Sequence, residues 1–159
     1  MKSELQQKIL NKYPEFFTKD YKIYTGEKPI AEEIQELLDQ EKIIVPIQFG
    51  IETQNGWFWL LYNLLDTIQH YIKNNNKPNI SITQIKEKFG GLNVYYTGGD
   101  ELIDGMVWFA EHLSYSICEF CGTNVGVGIT GGWIYTICWD CLQKNERAKD
   151  LKWKPINED

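Results

Sequence analysis

No stretch of this 159-residue chain is apolar over the roughly 18 residues that a membrane-spanning helix needs, so no membrane span is expected. The first ten residues form a charged amphipathic segment without the apolar core of a secretion signal, and a cytosolic protein is expected. An excess of basic residues is also missing, since the net charge is -6. Proteins that hold duplex DNA by counterion release present a basic face, so duplex DNA is not an expected partner. Histidine is scarce. His70 and His112 both fall off the apolar stripe of their helices, and nothing in the sequence joins them to a nucleophile or a metal set. The patterns Gly-x-Ser-x-Gly, His-Glu-x-x-His and Gly-x-x-x-x-Gly-Lys-Ser/Thr do not occur. Glu52 and Asp66 have no patterned partner, and Asp100 reads as a helix cap. The expectation is a protein without catalytic residues, not an enzyme.

What is present is a core-forming composition, 43% apolar and 14% aromatic, with six Trp and nine Tyr. Aromatic side chains bury large areas, so a short chain can build a sizeable core, and they also line interfaces. Leu5, Ile9 and Leu10 recur at helical spacing over residues 2–12, and Tyr13-Pro14 stops that helix. Ile34, Leu37 and Leu38 suggest a second helix over 31–40, started by Pro29. Residues 43–51 read as a strand that Pro46 confines to an edge. Asn55 is the expected cap of a four-turn helix carrying Trp57, Leu60, Leu61, Leu64, Ile68 and Ile72. Trp57 opens its apolar stripe and Trp59 falls off it. Residues 80–97 read as a hairpin turned by Gly90-Gly91. Asp100 then caps a helix whose expected buried stripe is Leu102, Met106, Phe109, Ala110, Leu113 and Ile117, and 142–150 is the expected last helix. The fold class is α+β: a short antiparallel sheet covered by helices, as a core domain over 1–117, with a zinc module docked on it over 118–159.

The zinc expectation rests on Cys118-Glu119-Phe120-Cys121 and Cys138-Trp139-Asp140-Cys141, which enclose 16 residues. Two Cys-x-x-Cys pairs at this separation suit four thiolates around one Zn2+, in a compartment where disulfides do not persist. Gly122 lets the first knuckle turn, Val125–Ile137 can form a hairpin with Gly131-Gly132 at its tip, and the second pair opens a helix. Knuckle, hairpin and helix in that order resemble a treble-clef finger. Thiol redox chemistry is the rival reading. Residues 118–159 hold five basic side chains against six acidic ones, so the module is read as a structural staple and not as a reader of phosphate backbone.

Lys86-Glu87-Lys88-Phe89-Gly90-Gly91-Leu92 is the other informative block. Lys86 and Lys88 project to one face of a strand, two glycines free the backbone to aim amides at an anion, and Phe89 and Tyr95 offer rings. Four Lys face a single acid between Lys73 and Asn93. Lys86, Lys88, Phe89, Gly90, Gly91, Tyr95 and Trp59 are therefore the candidate ligand residues for a small anion such as a nucleotide. The plain alternative is a tight turn beside solvated lysines. Together with Gly56-Trp57, Gly105-Met106, Ala110-Glu111, Gly132-Trp133 and the two Cys pairs, this block resembles a family of small phage and bacterial proteins. The resemblance covers about residues 49–141 and leaves the first 48 aside. It implies the hairpin-plus-zinc unit, and a phage protein acting in the host cytoplasm. Anti-defence sequestration of a host immune-signalling nucleotide would be its natural task by analogy. An adaptor that inhibits a host protein and a zinc-finger nucleic-acid binder are the alternatives, and self-association is a further partner expectation.

Overall fold

The computed structural model describes residues 1–17 and 50–156. The helix expected over 31–40 and nearly all of the strand expected over 43–51 lie outside the described residues. Helix α1 spans Ser3–Lys12 and buries Ile9 and Leu10. Its stop is also part of the core: Tyr13, Phe16 and Phe17 around the turn Pro14–Phe16 are all buried. Each buried aromatic of this kind contributes about 2–3 kcal/mol of transfer free energy as an upper estimate. The Tyr13 hydroxyl reaches the Tyr62 carbonyl and Asp66, and Lys12 pairs with Asp66 at 3.0 Å, fixing α1 to the next helix.

That helix, α2, spans Phe58–Asn75 and buries Phe58, Leu61, Leu64, Leu65, Ile68 and Ile72. A single 3-10 turn, Asn55–Trp57, precedes it, and Asn76 in the left-handed region ends it. Asn55 does not cap α2. Its side-chain oxygen accepts the Lys2 amide at 2.8 Å, so it satisfies the free end of α1 instead.

Strands β1 (Ile51–Glu52), β2 (Ser81–Lys88) and β3 (Gly91–Thr97) form one sheet in the order β1-β2-β3. β2 and β3 are the expected antiparallel hairpin. The sheet is not wholly antiparallel, because β1 pairs with β2 in parallel, Ile51 opposite Ile85. The α2 crossover is what allows a parallel neighbour. Ile82 and Ile85 are both buried although three residues apart. A register shift between Ile82 and Gln84 accommodates them, since a bulge resets the alternation. The turn also differs from expectation. Lys88 pairs with Gly91, so the loop is Phe89-Gly90, with φ of 53° and 79°. Positive φ at both central residues is the hairpin geometry that matches strand twist. Gly91 is already in β3, and the Tyr115 ring fills the space its Cβ would need.

Helix α3 spans Glu101–Ser114. Asp100 caps it as expected, accepting the Ile103 amide at 3.2 Å. The buried face is Ile103, Val107, Ala110 and Ser114, one residue out of step with the expected stripe. Ala110 is common to both, and Met106 and Ile117 of the expected stripe are half-buried against the same core. Leu102 and Phe109 stand out in solvent, 52% and 62% exposed. Both stripes have helical spacing, so periodicity cannot choose between them. Polar groups decide. β3 is an edge strand, and the amides of Leu92 and Val94 are taken by Ser114 Oγ at 2.9 Å and Glu111 Oε1 at 2.8 Å. Asp104 accepts the Tyr96 hydroxyl. These contacts fix the rotation of α3 about its axis and close the sheet edge at once.

The C-terminal part has β4 (Val127–Thr130), β5 (Thr136–Cys138), α4 (Trp139–Lys144) and β6 (Trp153–Pro155), with sheet order β5-β4-β6. α4 begins at the second Cys pair and stops before Asn145, so it is shorter and earlier than the helix expected over 142–150. The described residues form two apolar clusters, one from α1 to Ala110 and one holding Cys118, Val127, Ile137, Cys138, Leu142 and Ala148. No helix among the described residues is long and apolar enough to cross a membrane.

The Asp100 carboxylate also takes the Tyr71 hydroxyl at 2.8 Å and Lys77 at 3.2 Å. The Tyr71 hydroxyl, with help from the Ile103 amide and Lys77, holds this carboxyl below its ordinary pKa. Its stabilising contribution is therefore complete above the unfolded value, near 4, and is lost as pH falls through the lower folded value. Asp100→Ala is expected to destabilise the protein at neutral pH, and the difference from wild type should shrink in acid. Urea denaturation of both proteins across pH 2–7 checks this.

Candidate metal centre and the hairpin packed against it

Cys118, Cys121, Cys138 and Cys141 come together with all four sulfurs within 4.8 Å of one another. The Cys121 and Cys138 sulfurs are 3.7 Å apart. A tetrahedron with metal–sulfur bonds of about 2.3 Å has edges of about 3.8 Å, so the cluster has the size of a four-thiolate metal site. The first pair sits on a tight turn in which the Gly122 amide returns to the Cys118 carbonyl at 2.8 Å, with Gly122 at φ 82°. The second pair sits at the start of α4, where Cys138 Sγ accepts the Cys141 amide at 3.4 Å. Cys118 and Cys138 are buried, Cys141 is half-buried and Cys121 is exposed. Burial pushes the Cys118 and Cys141 thiols up from their ordinary value. At Cys121 burial acts in the same sense, but the Thr123 amide and the neighbouring thiols outweigh it and lower that thiol. The cluster is compatible with a metal ion held by four thiolates.

Two contacts seat this cluster on the larger core. Gly56 donates its amide to the Glu119 carbonyl at 2.8 Å, and a Cβ on Gly56 would lie 2.2 Å from the Cys118 carbonyl oxygen. Trp57, wholly buried, donates its indole N–H to the carbonyl of Ile117 at 2.9 Å. The Gly56-Trp57 dipeptide is thus the seat of the first knuckle: glycine for close approach, tryptophan for apolar bulk with a polar handle. The second contact joins the cysteine cluster to the lysine-glycine hairpin. Thr136, two residues before Cys138 and fully buried, donates its hydroxyl to the Gly90 carbonyl at 2.6 Å. Ile134 packs against Gly90, leaving no room there for a side chain.

The expected ligand residues divide. Lys86 and Tyr95 share the outer face of the sheet, with the ammonium 5.1 Å from the ring centre, and Lys88 lies 5.4 Å from the Phe89 ring centre at the tip. The Gly90 amide is already paired with the Glu87 carboxylate at 2.6 Å, so it is not presented to an external anion. Trp59 is exposed but belongs elsewhere, stacked edge-on with Phe58 and Tyr62 at the start of α2. His70 and His112 are exposed surface residues, the latter stacked on Trp108.

Thr136 and Glu119 were not legible as site residues. Glu119 is 3% exposed, and its Oε2 has no hydrogen-bond partner among the described residues. Burial, with Glu87 nearby, raises its pKa to about 7. A lone acid inside a Cys-x-x-Cys turn reads as solvent-facing, and only the docking of the knuckle on Gly56 buries it.

Comparison with protein-family models, with curated proteins and with solved structures finds no match to this chain.

The buried Thr136–Gly90 bond makes a test. Thr136→Val keeps the shape and leaves the Gly90 carbonyl unpaired, and a loss of about 1–3 kcal/mol is expected. The Thr136→Ser protein should stay within about 1 kcal/mol of wild type. Equal losses in the two variants, measured by chemical denaturation, would show that packing and not the hydroxyl matters.

Proposed function

We propose that this chain is a non-catalytic protein-recognition module whose C-terminal end is held by one Zn2+, and that α3 is its recognition helix. One observation carries the reading. α3 buries one face in its own core and leaves a second apolar strip outside, made of Leu102, Phe109 and Leu113. Isolated exposed apolar residues need no explanation, but three aligned along one short helix form a patch of the kind that marks an interface. The helix also carries Glu101, Asp104 and Glu111 with no Lys or Arg. The matching partner is an amphipathic helix whose apolar residues meet Leu102 and Phe109 and whose flanks are basic. In the phage setting implied by the family resemblance, that partner is a host protein and the effect is inhibition. Leu102→Asp combined with Phe109→Asp should leave helix content and metal content unchanged. It should also release a stoichiometric partner that wild type retains on purification from its own host. A partner retained by both proteins, with its contacts mapped by cross-linking away from α3, would reject the reading. So would a wild-type dimer closed through α3.

Zinc is supported by the ligand chemistry. Four soft thiolates at tetrahedral spacing favour Zn2+, and four protein ligands leave no open position for a substrate, which makes the role structural. The knuckle, the β4–β5 hairpin and α4 follow the order of a treble clef. The purified chain should contain one zinc per molecule by elemental analysis. Chelation should expose four thiols to a colorimetric reagent and lower the thermal midpoint by roughly 6–12 °C, equivalent to about 3 kcal/mol. A metal-free preparation with the same midpoint would exclude this role.

A further inference from the structure

The outer face of the β2–β3 hairpin is unused by the core and by the α3 surface. It presents Gln84, Lys86, Lys88, Asn93 and Tyr95, and the tip adds Phe89. Tyr95 is 40% exposed and Phe89 70%. Neither lysine is ion-paired with a described residue, although the chain carries an acidic excess. The two nearest carboxylates are already engaged. Glu52, beside Lys86 on β1, accepts the Gln84 amide, and Glu87 accepts the Gly90 amide. Among the described residues, two ammonium groups without an ion-pair partner thus lie with two rings along one strip.

Phe89 supplies an independent observation. It occupies a position with φ 53°, where a bulky residue is a rarity and Asn or Gly would sit without strain. Its ring is mostly in solvent, so packing does not explain the choice either. The tip is held in place from the other side by Thr136 and Ile134. A strained residue whose side chain contributes nothing to the core, fixed on a rigid support, is the signature of a contact made to something else.

The strip is flat. A mononucleotide needs walls that enclose most of its surface. An extended strand needs only a surface where rings stack on successive bases while cations meet the phosphates between them. Lys86 and Lys88 are separated by two strand residues, about 6.8 Å, which suits neighbouring phosphates of an extended chain. We propose that the outer face of β2–β3 binds a short single-stranded oligonucleotide segment, with Lys86 and Lys88 on phosphates and Tyr95 and Phe89 stacked on bases. This site is independent of the α3 surface. It differs from a phosphate cradle, because the backbone amide of Gly90 takes no part.

The test is fluorescence anisotropy of the full chain, metal-loaded as purified, with a labelled oligothymidylate of about twelve nucleotides. Binding should weaken with salt, with a log–log slope of about -1.4 for two phosphate contacts. Lys86→Ala plus Lys88→Ala should weaken it at least about tenfold. Phe89→Gly should weaken it similarly while the melting temperature holds or rises, because glycine adopts positive φ freely, so the loss cannot be blamed on unfolding. Duplex of the same length, AMP and polyglutamate should compete poorly, and Leu102→Asp plus Phe109→Asp should bind as wild type does. The inference is overturned by no binding of the oligonucleotide or by unchanged binding in both hairpin variants. Equal competition by AMP or polyglutamate overturns it too, as does equal loss in the α3 variant.

Discussion

The close approach of Gly56 to the Cys118–Gly122 turn is the constraint on which the rest of the structure depends. A backbone amide from the larger core ends on the Glu119 carbonyl, at a distance that no side chain at position 56 would permit. From Gly56 the chain runs on into Trp57 and α2, while the turn it touches carries Cys118 and Cys121. Because Trp57 simultaneously holds the Ile117 carbonyl, the end of α3 and the start of the metal turn are fixed together. Thr136 then reaches back to Gly90 from the far side of the cluster. The two apolar clusters meet through backbone and hydroxyl groups, which are directional. This makes the placement of one on the other specific in a way that an oily contact of the same area would not be.

Much of this was legible in the sequence, and the pattern of what was not is instructive. The Cys spacing announces a four-sulfur cluster because coordination geometry is local. α1, α2 and the β2–β3 hairpin were also readable, because one periodicity dominates each. α3 failed because two stripes one residue apart are equally periodic. The choice is made by Ser114 and Glu111 pairing with amides of an edge strand 17 to 22 residues away in the chain. No window of sequence contains that information. Asn55 failed for the same reason, its partner being Lys2. The parallel placement of β1 and the burial of Glu119 are likewise decided by tertiary contact.

The hairpin turn shows a different kind of miss. Gly90-Gly91 is the natural reading of a two-residue loop, and the chain places the loop one residue earlier, on Phe89-Gly90. Gly91 is needed elsewhere, for the Tyr115 ring that packs where its side chain would be. Local preference is thereby overruled at Phe89. Natural sequences keep local and global preferences consistent except where something besides folding is selected. That a bulky aromatic, and not one of the small polar residues that suit positive φ, is the residue left strained points to the ring itself as the reason.

The two unassigned surfaces differ in how they depend on the metal cluster, and this follows from the contacts. The tip of the hairpin is held by Thr136, which sits in β5 two residues before Cys138. Any loosening of the cluster therefore frees the Gly90 carbonyl and lets the strained turn relax. α3 is held by its own cap at Asp100, by the β3 edge and by the core face of Ile103, Val107 and Ala110. None of these belongs to the cysteine-bearing part. A strained turn is the feature most easily lost when its support weakens, whereas a helix fixed by a cap, an edge and a core face has three independent restraints. The cysteine cluster thus supports the hairpin surface, whereas the exposed face of α3 is held by the larger core.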